Sequence, residues 1–267
     1  MFYSAKNDTI TIDNTDIDYI AFGNGKKNLL MIPGLGDGLK TAKGMALPFA
    51  WMYRRLAKDY RVYVMSRRNV IPQGFTTRDM AKDIAVVLQK LGVEQTSVIG
   101  VSQGGMIAQY LAIDFPDLIE KLILTVTLAR QNDTVQKVIC NWMDMAKCGD
   151  YKSLMIDTAE KSYSEKYLKK NRWVYPLMGS VGKPKSFERF LIMSQACIEH
   201  DAFDELVQIT CPTLILGGKK DQIVTGEASI EISTQIPGSE IYMYEELGHG
   251  AYEEAKDFLD RIMEFCK

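Results

Sequence analysis

One short stretch, Gly100–Gly104 with the sequence GVSQG, constrains the fold of this chain more than any other. A serine stands at its centre, and a glycine lies two residues to either side. The run before it, Thr96–Ile99, is typical of a short strand, and the run after it, Gly105–Ile113, is apolar almost all round, as a buried helix is. A serine in this context can occupy a tight strand-to-helix turn, which lifts its hydroxyl out of the sheet to where a base can reach it. We therefore predict a strand, a nucleophile turn and a buried helix, which the pair Phe115-Pro116 ends.

Strand-like and helix-like segments alternate over most of the remaining chain. Two alternating stretches separated by the turn residues 13–16 predict an N-terminal hairpin. Strands are predicted at 9–12, 17–22, 28–32, 61–65, 96–99, 121–126, 212–216 and 240–244. Further helices are predicted at 49–59, at 76–91 with Thr76 as its cap and Gly92 as its stop, at 226–235 and from about 251. This alternation predicts the α/β class, with a mostly parallel eight-stranded sheet flanked by helices.

The alternation is interrupted over residues 129–208, where helix-like segments follow one another without a convincing strand. We predict that this block is an inserted helical cap, and that residues 1–128 and 209–267 form the α/β core. The block is rich in aromatic and methionine side chains, which favours an apolar pocket between cap and core. Most of these side chains are expected simply to pack the cap.

The composition of the chain limits the classes of partner that it is expected to bind. A net charge of −2 and a pI near 5.8 argue against nucleic acid and against an anionic membrane, because both favour a basic face. The N-terminal residues lack the basic and apolar regions of a secretory signal, and no apolar run approaches the roughly 18 residues that span a bilayer. The five cysteines are widely spaced without a C-x-x-C pair, so we expect reduced thiols, no metal, no cofactor and a cytoplasmic protein.

The base that would activate the serine has few candidates, because the chain contains only two histidines. His249 follows the last predicted strand and has a glycine on either side. It would therefore lie at the carboxyl edge of the sheet, where ligands bind in open α/β folds. His200 ends the helical block, where a surface or cap-packing role is the simpler interpretation.

An acid must hold the imidazole in its productive tautomer. Asp221 follows the strand at 212–216 and falls at the same edge of the sheet, so it is the first candidate. Asp133, which follows the preceding strand, is the second. We expect His249 to lie within hydrogen-bonding reach of both Ser102 and Asp221.

A tetrahedral oxyanion also needs fixed donors. The backbone N–H of Gln103, at the start of the predicted helix, is one candidate. The other is the N–H of Leu35, in the glycine-rich loop after the strand at 28–32. That loop lacks a phosphate-binding lysine at the proper spacing, which argues against a nucleotide site. A plain tight turn is the alternative.

These residues resemble the α/β-hydrolase superfamily over nearly the whole chain. Within it the pattern is similar to capped esterases, enol-lactonases, carbon–carbon hydrolases and cofactor-free haloperoxidases. The resemblance implies Ser102 as nucleophile, His249 as base and Asp221 as acid. It departs at Pro33, where the family often has histidine before the oxyanion glycine. Branches with an aspartate nucleophile do not fit, because the residue at this position is serine.

The residues thus predict a serine hydrolase that cleaves a carboxylic ester, thioester or lactone of a small, largely apolar substrate through an acyl-serine intermediate. Acyl transfer and carbon–carbon cleavage use the same three side chains and stay open as alternatives. A non-catalytic ligand-binding protein on this scaffold is a third reading. Neither the substrate nor the oligomeric state follows from the sequence.

Overall fold

A computed structural model describes residues 2–267 of the chain, and a single eight-stranded sheet lies at its centre. The strands are β1 (Lys6–Ile12), β2 (Thr15–Phe22), β3 (Lys27–Ile32), β4 (Tyr60–Arg68), β5 (Thr96–Val101), β6 (Ile119–Thr125), β7 (Thr213–Gly218) and β8 (Glu240–Tyr244). Their order across the sheet is β1-β2-β4-β3-β5-β6-β7-β8. The pairs β1–β2 and β2–β4 are antiparallel, and every other pair is parallel. The predicted α/β class with a mostly parallel eight-stranded sheet is therefore confirmed.

The N-terminal hairpin forms as predicted, with a shorter turn than expected. Only Asp13 and Asn14 lie between β1 and β2, and their φ values are 45° and 61°. Short polar side chains tolerate this left-handed conformation, which the tight two-residue turns of hairpins require.

Helices cover both faces of the sheet. They are α1 (Ala46–Met52), α2 (Thr77–Lys90), α3 (Gln103–Asp114), α4 (Asp133–Lys147), α5 (Tyr151–Ser162), α6 (Glu165–Asn171), α7 (Val174–Val181), α8 (Glu188–Ile198), α9 (Gly226–Gln235), α10 (Ala251–Glu254) and α11 (Phe258–Phe265). The structure confirms the ends predicted for α2. Thr76 and Asp79 form a reciprocal capping box at its start, and Gly92 adopts φ +69° just after it.

Two predicted helices are corrected. The helix expected at 49–59 is α1 followed by a separate 3-10 turn, Leu56–Lys58. It begins earlier than predicted because Pro48 lies in its first turn, where a missing N–H costs no hydrogen bond. The helix expected from Ala251 is divided into α10 and α11, which residues 255–257 separate.

The sheet is buried on both faces, which explains why its central strands are continuous apolar runs. Successive side chains of β3 alternate between two cores, with Leu30 and Ile32 in one and Leu29 and Met31 in the other. The first core continues under α2, α3 and the helical block, and the second under α1 and α11.

The block between β6 and β7 consists of helices α4 to α8 and a 3-10 turn, Phe203–Gln208. Within residues 129–208, all of which the structure describes, no strand forms. The division into a core and a cap at residues 129 and 208 stays a prediction, and Met1 of the predicted core lies outside the described residues. In the described chain, no helix is both long enough and apolar enough to cross a bilayer.

Candidate active site

Ser102 occupies the turn between β5 and α3 in a strained backbone conformation. Its φ and ψ are 54° and −120°, a region in which a residue with a side chain costs of order 1–3 kcal/mol. The turn is held on both sides, because the Ser102 N–H donates to the Thr125 carbonyl at 2.9 Å and its own carbonyl accepts from the Thr127 hydroxyl at 2.8 Å. The serine is therefore placed at the carboxyl edge of the sheet by its neighbours, at the position that the sequence predicted.

The two glycines of the pentapeptide are required by close packing. A Cβ on Gly104 would lie 1.9 Å from the Ile32 carbonyl oxygen, and a Cβ on Gly100 would lie 2.5 Å from the Gly104 carbonyl oxygen. Both distances are far below van der Waals contact. A side chain at Gly100 would force β5 and α3 apart, and one at Gly104 would force α3 away from the end of β3. Either change would displace the serine between these elements.

His249 and Asp221 are joined by a hydrogen bond of 2.7 Å between Nδ1 and Oδ2. The other carboxylate oxygen of Asp221 accepts from the backbone N–H groups of Ile223 at 2.8 Å and Val224 at 3.0 Å. Both side chains of the pair are buried. Because a carboxylate only accepts, Nδ1 carries the proton and Nε2 keeps a free lone pair, which is the tautomer that a general base needs.

The loops that carry this pair are tied to each other and to the helical block. Between the loops, the Lys220 N–H donates to the Leu247 carbonyl at 2.9 Å. The Gly250 N–H donates to the Ser162 carbonyl at the end of α5, at 2.7 Å. The histidine loop therefore rests on the block that the sequence predicted to be a cap.

In the described part of the chain, residues 2–267, no hydrogen bond joins His249 to Ser102. We expected the imidazole to reach both Ser102 and Asp221, and it is hydrogen bonded to Asp221 only. Catalytic hydrogen bonds are often long in a free enzyme and tighten when substrate binds. The structure thus brings together the candidate acid and the candidate base, and it places the serine in its turn at the same edge of the sheet.

The two candidate oxyanion donors lie at helix starts beside the serine. Leu35 opens a 3-10 turn, Leu35–Gly38, directly after Gly34, and Gln103 is the first residue of α3. Gly34 lies beside Ser102, since a Cβ built on Gly34 would be 3.3 Å from the Ser102 Cβ. The first N–H groups of a helix have no partner within that helix, so both amides are available to an anion.

A buried arginine that the sequence analysis missed connects these two donors. The Arg67 guanidinium donates to the side-chain oxygen of Gln103 at 3.1 Å, to the Gly34 carbonyl at 3.3 Å and to the Pro33 carbonyl. Burial lowers the pKa of Arg67 to about 10, so it is still a cation at neutral pH. The other end of the Gln103 side-chain amide, its Nε2, donates to the Met193 carbonyl at 2.7 Å.

The same arginine is linked to helix α8 through a buried carboxylate. Asp37 accepts from the Arg67 backbone N–H at 3.1 Å and lies 3.8 Å from its guanidinium. Arg189 of α8 also binds Asp37, and it donates to the Arg68 carbonyl at 2.8 Å. The sequence offered one signal, the arginine pair at 67–68, which follows the strand predicted at 61–65 after one intervening residue and lies at the end of β4.

Among the described residues, the remaining sequence candidates form no hydrogen bond with the His249–Asp221 pair. Asp133 is exposed in the first turn of α4. His200 is buried rather than at the surface, between the Thr77 hydroxyl at 3.0 Å and the Gln109 side-chain oxygen at 3.2 Å. Burial lowers its pKa to about 3. His200 is therefore a neutral packing residue.

Cys197 contacts the site, because its Sγ accepts a hydrogen bond from Nε2 of Gln103 at 3.1 Å. All five cysteines are free thiols. Over residues 2–267 no group of three or more His, Cys, Asp or Glu side chains is arranged to hold a metal ion.

Comparison with known proteins identifies the class to which this fold and site belong. The family model of the alpha/beta hydrolase fold matches residues 27–256, so the chain belongs to that family. The chain is 24% identical to an uncharacterized hydrolase, YugF, of Bacillus subtilis, over 96% of each chain. It is also 24% identical to the serine hydrolase BPHL of Mus musculus, over 96% of this chain and 84% of that protein. Its fold is similar to the crystal structure of the enol-lactonase from Burkholderia xenovorans, with a TM-score of 0.84, 18% identity and coverage of 97% and 99%.

Proposed function

We propose that this hydrolase cleaves a carboxylic ester, thioester or lactone through an acyl-Ser102 intermediate. The observation that carries the proposal is the 2.7 Å hydrogen bond between His249 and Asp221, at the same sheet edge as a serine in a strained strand-to-helix turn. The hydrogen bond orients the imidazole, and the turn exposes the hydroxyl.

In the proposed reaction, His249 Nε2 takes the proton of the Ser102 hydroxyl as the serine oxygen attacks the substrate carbonyl carbon. The tetrahedral oxyanion accepts hydrogen bonds from the backbone N–H groups of Leu35 and Gln103. The imidazolium, stabilised by the Asp221 carboxylate, then protonates the departing alcohol, thiol or ring oxygen. His249 then takes a proton from water as the water oxygen attacks the acyl-serine carbonyl carbon. The bond between the acyl carbon and the Ser102 oxygen breaks, His249 returns the proton to that oxygen, and the carboxylic acid is released.

A small, largely apolar substrate is the class that the surroundings favour. The abundance of aromatic and methionine side chains in residues 129–208 favours an apolar pocket between this block and the core. Methionine adapts to irregular shapes, which favours a permissive acyl pocket. We further propose that the enzyme needs no metal or cofactor, acts on a small molecule rather than nucleic acid, and is cytoplasmic.

The test is a panel of p-nitrophenyl esters of graded acyl length, assayed beside lactones and thioesters. We expect turnover of at least one class by the wild-type protein and its loss, by about 10⁴-fold or more, in Ser102→Ala. Full activity of Ser102→Ala would contradict the proposal. Product analysis with a competing alcohol or thiol separates hydrolysis from acyl transfer, and tight ligand binding without turnover would indicate a binding protein.

A further inference from the structure

Positive charge is concentrated in one segment of this weakly acidic chain. Residues 165–185, which include α6 and α7, carry six basic side chains and one acidic one. Their net charge of +5, within a chain of net charge −2, leaves −7 for the rest. The low overall charge therefore hides a strongly basic patch on the helical block.

Apolar side chains stand out into solvent in the same segment. Trp173, Leu177 and Val181 are 70%, 56% and 80% exposed, and their spacing of four residues places them along one face of α7. Another part of α7 packs on α5, because a Cβ on the buried Gly179 would lie only 2.7 Å from the Lys152 Cα. The apolar stripe thus has no covering element in the described chain.

The lysines that flank this stripe are free of internal partners. Lys169 and Lys170 precede Trp173, and Lys185 follows Val181. Among the described residues, none of these three lysines has an ion-pair partner within 4.0 Å, whereas Arg172 pairs with two glutamates. Exposed tryptophan and aliphatic side chains bordered by unpaired lysines are the composition of helices that lie in a membrane interface.

We propose that this surface, defined as Trp173, Leu177 and Val181 with Lys169, Lys170 and Lys185, docks on an anionic phospholipid bilayer. The apolar stripe would insert at the interface between the lipid headgroups and the acyl chains, while the lysines would contact the lipid phosphates. A second copy of the chain on the same surface would bring like charges together, which disfavours a dimer. A nucleic acid would match the charge but would not bury the aliphatic side chains.

This proposal is independent of the chemistry at Ser102, and vesicle flotation tests it. We expect the wild-type protein to float with vesicles of phosphatidylcholine and phosphatidylglycerol at low salt, and to float much less with phosphatidylcholine alone or at high salt. Leu177→Glu/Val181→Glu and Lys169→Glu/Lys170→Glu should each weaken binding about tenfold or more.

Matched controls carry the same changes elsewhere. Val207→Glu alters another exposed valine, and Lys26→Glu/Lys27→Glu alters two exposed lysines at the start of β3. Both variants should bind as the wild type does. Absence of wild-type flotation, or equal loss in the controls, would overturn the proposal. So would a dimer that Leu177→Glu/Val181→Glu dissociates without any vesicle binding.

A second measurement does not depend on how the charged variants fold. Addition of anionic vesicles should shift the tryptophan emission of the wild-type protein to shorter wavelength. The conservative change Trp173→Phe should abolish that shift, because Trp173 is the tryptophan of the proposed surface. An unchanged shift in this variant would place the contact elsewhere and overturn the proposal.

Discussion

The Arg67 guanidinium donates a hydrogen bond to the side-chain oxygen of Gln103 at 3.1 Å, and the backbone N–H of this glutamine is one of the two proposed oxyanion donors. The same guanidinium binds the carbonyls of Pro33 and Gly34, which directly precede the other donor, Leu35. One buried cation therefore fixes both halves of the proposed oxyanion hole. It therefore also holds the main chain at Pro33, the position at which the sequence departs from the resemblance.

Replacement of this cation should slow catalysis without a proportionate change in substrate binding. Loss of one oxyanion donor costs about 10²–10³ in kcat, so displacement of the donors in Arg67→Met should lower kcat by roughly 10–100-fold. Arg67→Lys should recover only part of the rate, because an ammonium lacks the planar fork that reaches two carbonyls and an amide. Steady-state kinetics test this, with the exposed Arg54→Met as the control. A rise in KM with unchanged kcat would show that Arg67 acts on binding instead.

The acid assignment predicts a specific loss in Asp221→Asn. An amide at this position can favour the wrong tautomer of His249, so kcat should fall by about 10⁴ while the fold is kept. Asp133→Asn is the matched control and should retain full activity, because that side chain is exposed at the start of α4. Loss of activity in Asp133→Asn with full activity in Asp221→Asn would assign the role of the acid to Asp133 instead.

The glycine requirement of the serine turn predicts a difference in stability between two otherwise similar substitutions. Gly104→Ala places a methyl group 1.9 Å from the Ile32 carbonyl and should lower the free energy of unfolding by about 1–3 kcal/mol or more. Gly36→Ala meets no atom within 4 Å and should change it by less than about 0.5 kcal/mol. Urea denaturation measures both values. Equal stability of the two variants would show that α3 is not packed against the end of β3 as described.

His200 predicts a pH dependence of stability that is separate from catalysis. Its folded pKa of about 3 lies below the ordinary value of 6.5, so only the unfolded chain takes up this proton between those pH values. The contribution of neutral His200 to the free energy of unfolding is therefore fully present above pH 6.5 and is lost as the pH falls. The loss between pH 7 and pH 5 is about 2 kcal/mol. His200→Gln cannot titrate at this position. Between pH 7 and pH 5 the free energy of unfolding of this variant should therefore fall by about 2 kcal/mol less than that of the wild type. Parallel curves for the two proteins would contradict this.

The features that sequence predicted correctly depend on neighbours along the chain. The capping residues around α2, the N-terminal hairpin and the turn at Ser102 are each specified within a few positions. The position of Asp221 and His249 followed from a second local rule, that residues after parallel strands share one edge of the sheet.

The features that it did not predict depend on contacts between distant segments. Arg67 lies in β4, Asp37 in the 3-10 turn after β3 and Arg189 in α8, and no local pattern indicates that they meet. The burial of His200 likewise depends on Thr77 and Gln109, which lie far away along the chain. The start of α1 was misplaced because Pro48 marks the first turn of a helix as readily as its boundary.

Covalent labelling of the serine tests the central claim most directly. The wild-type protein would be treated with a fluorophosphonate probe, digested and analysed by mass spectrometry, beside Ser102→Ala and the control Ser97→Ala, whose serine is buried in β5. The account predicts one modified peptide, with the probe on Ser102, in the wild-type protein and in Ser97→Ala, and no modification in Ser102→Ala. A folded wild-type protein that stays unlabelled at Ser102, or a probe that modifies Ser102→Ala equally, would contradict the assignment of Ser102 as the nucleophile.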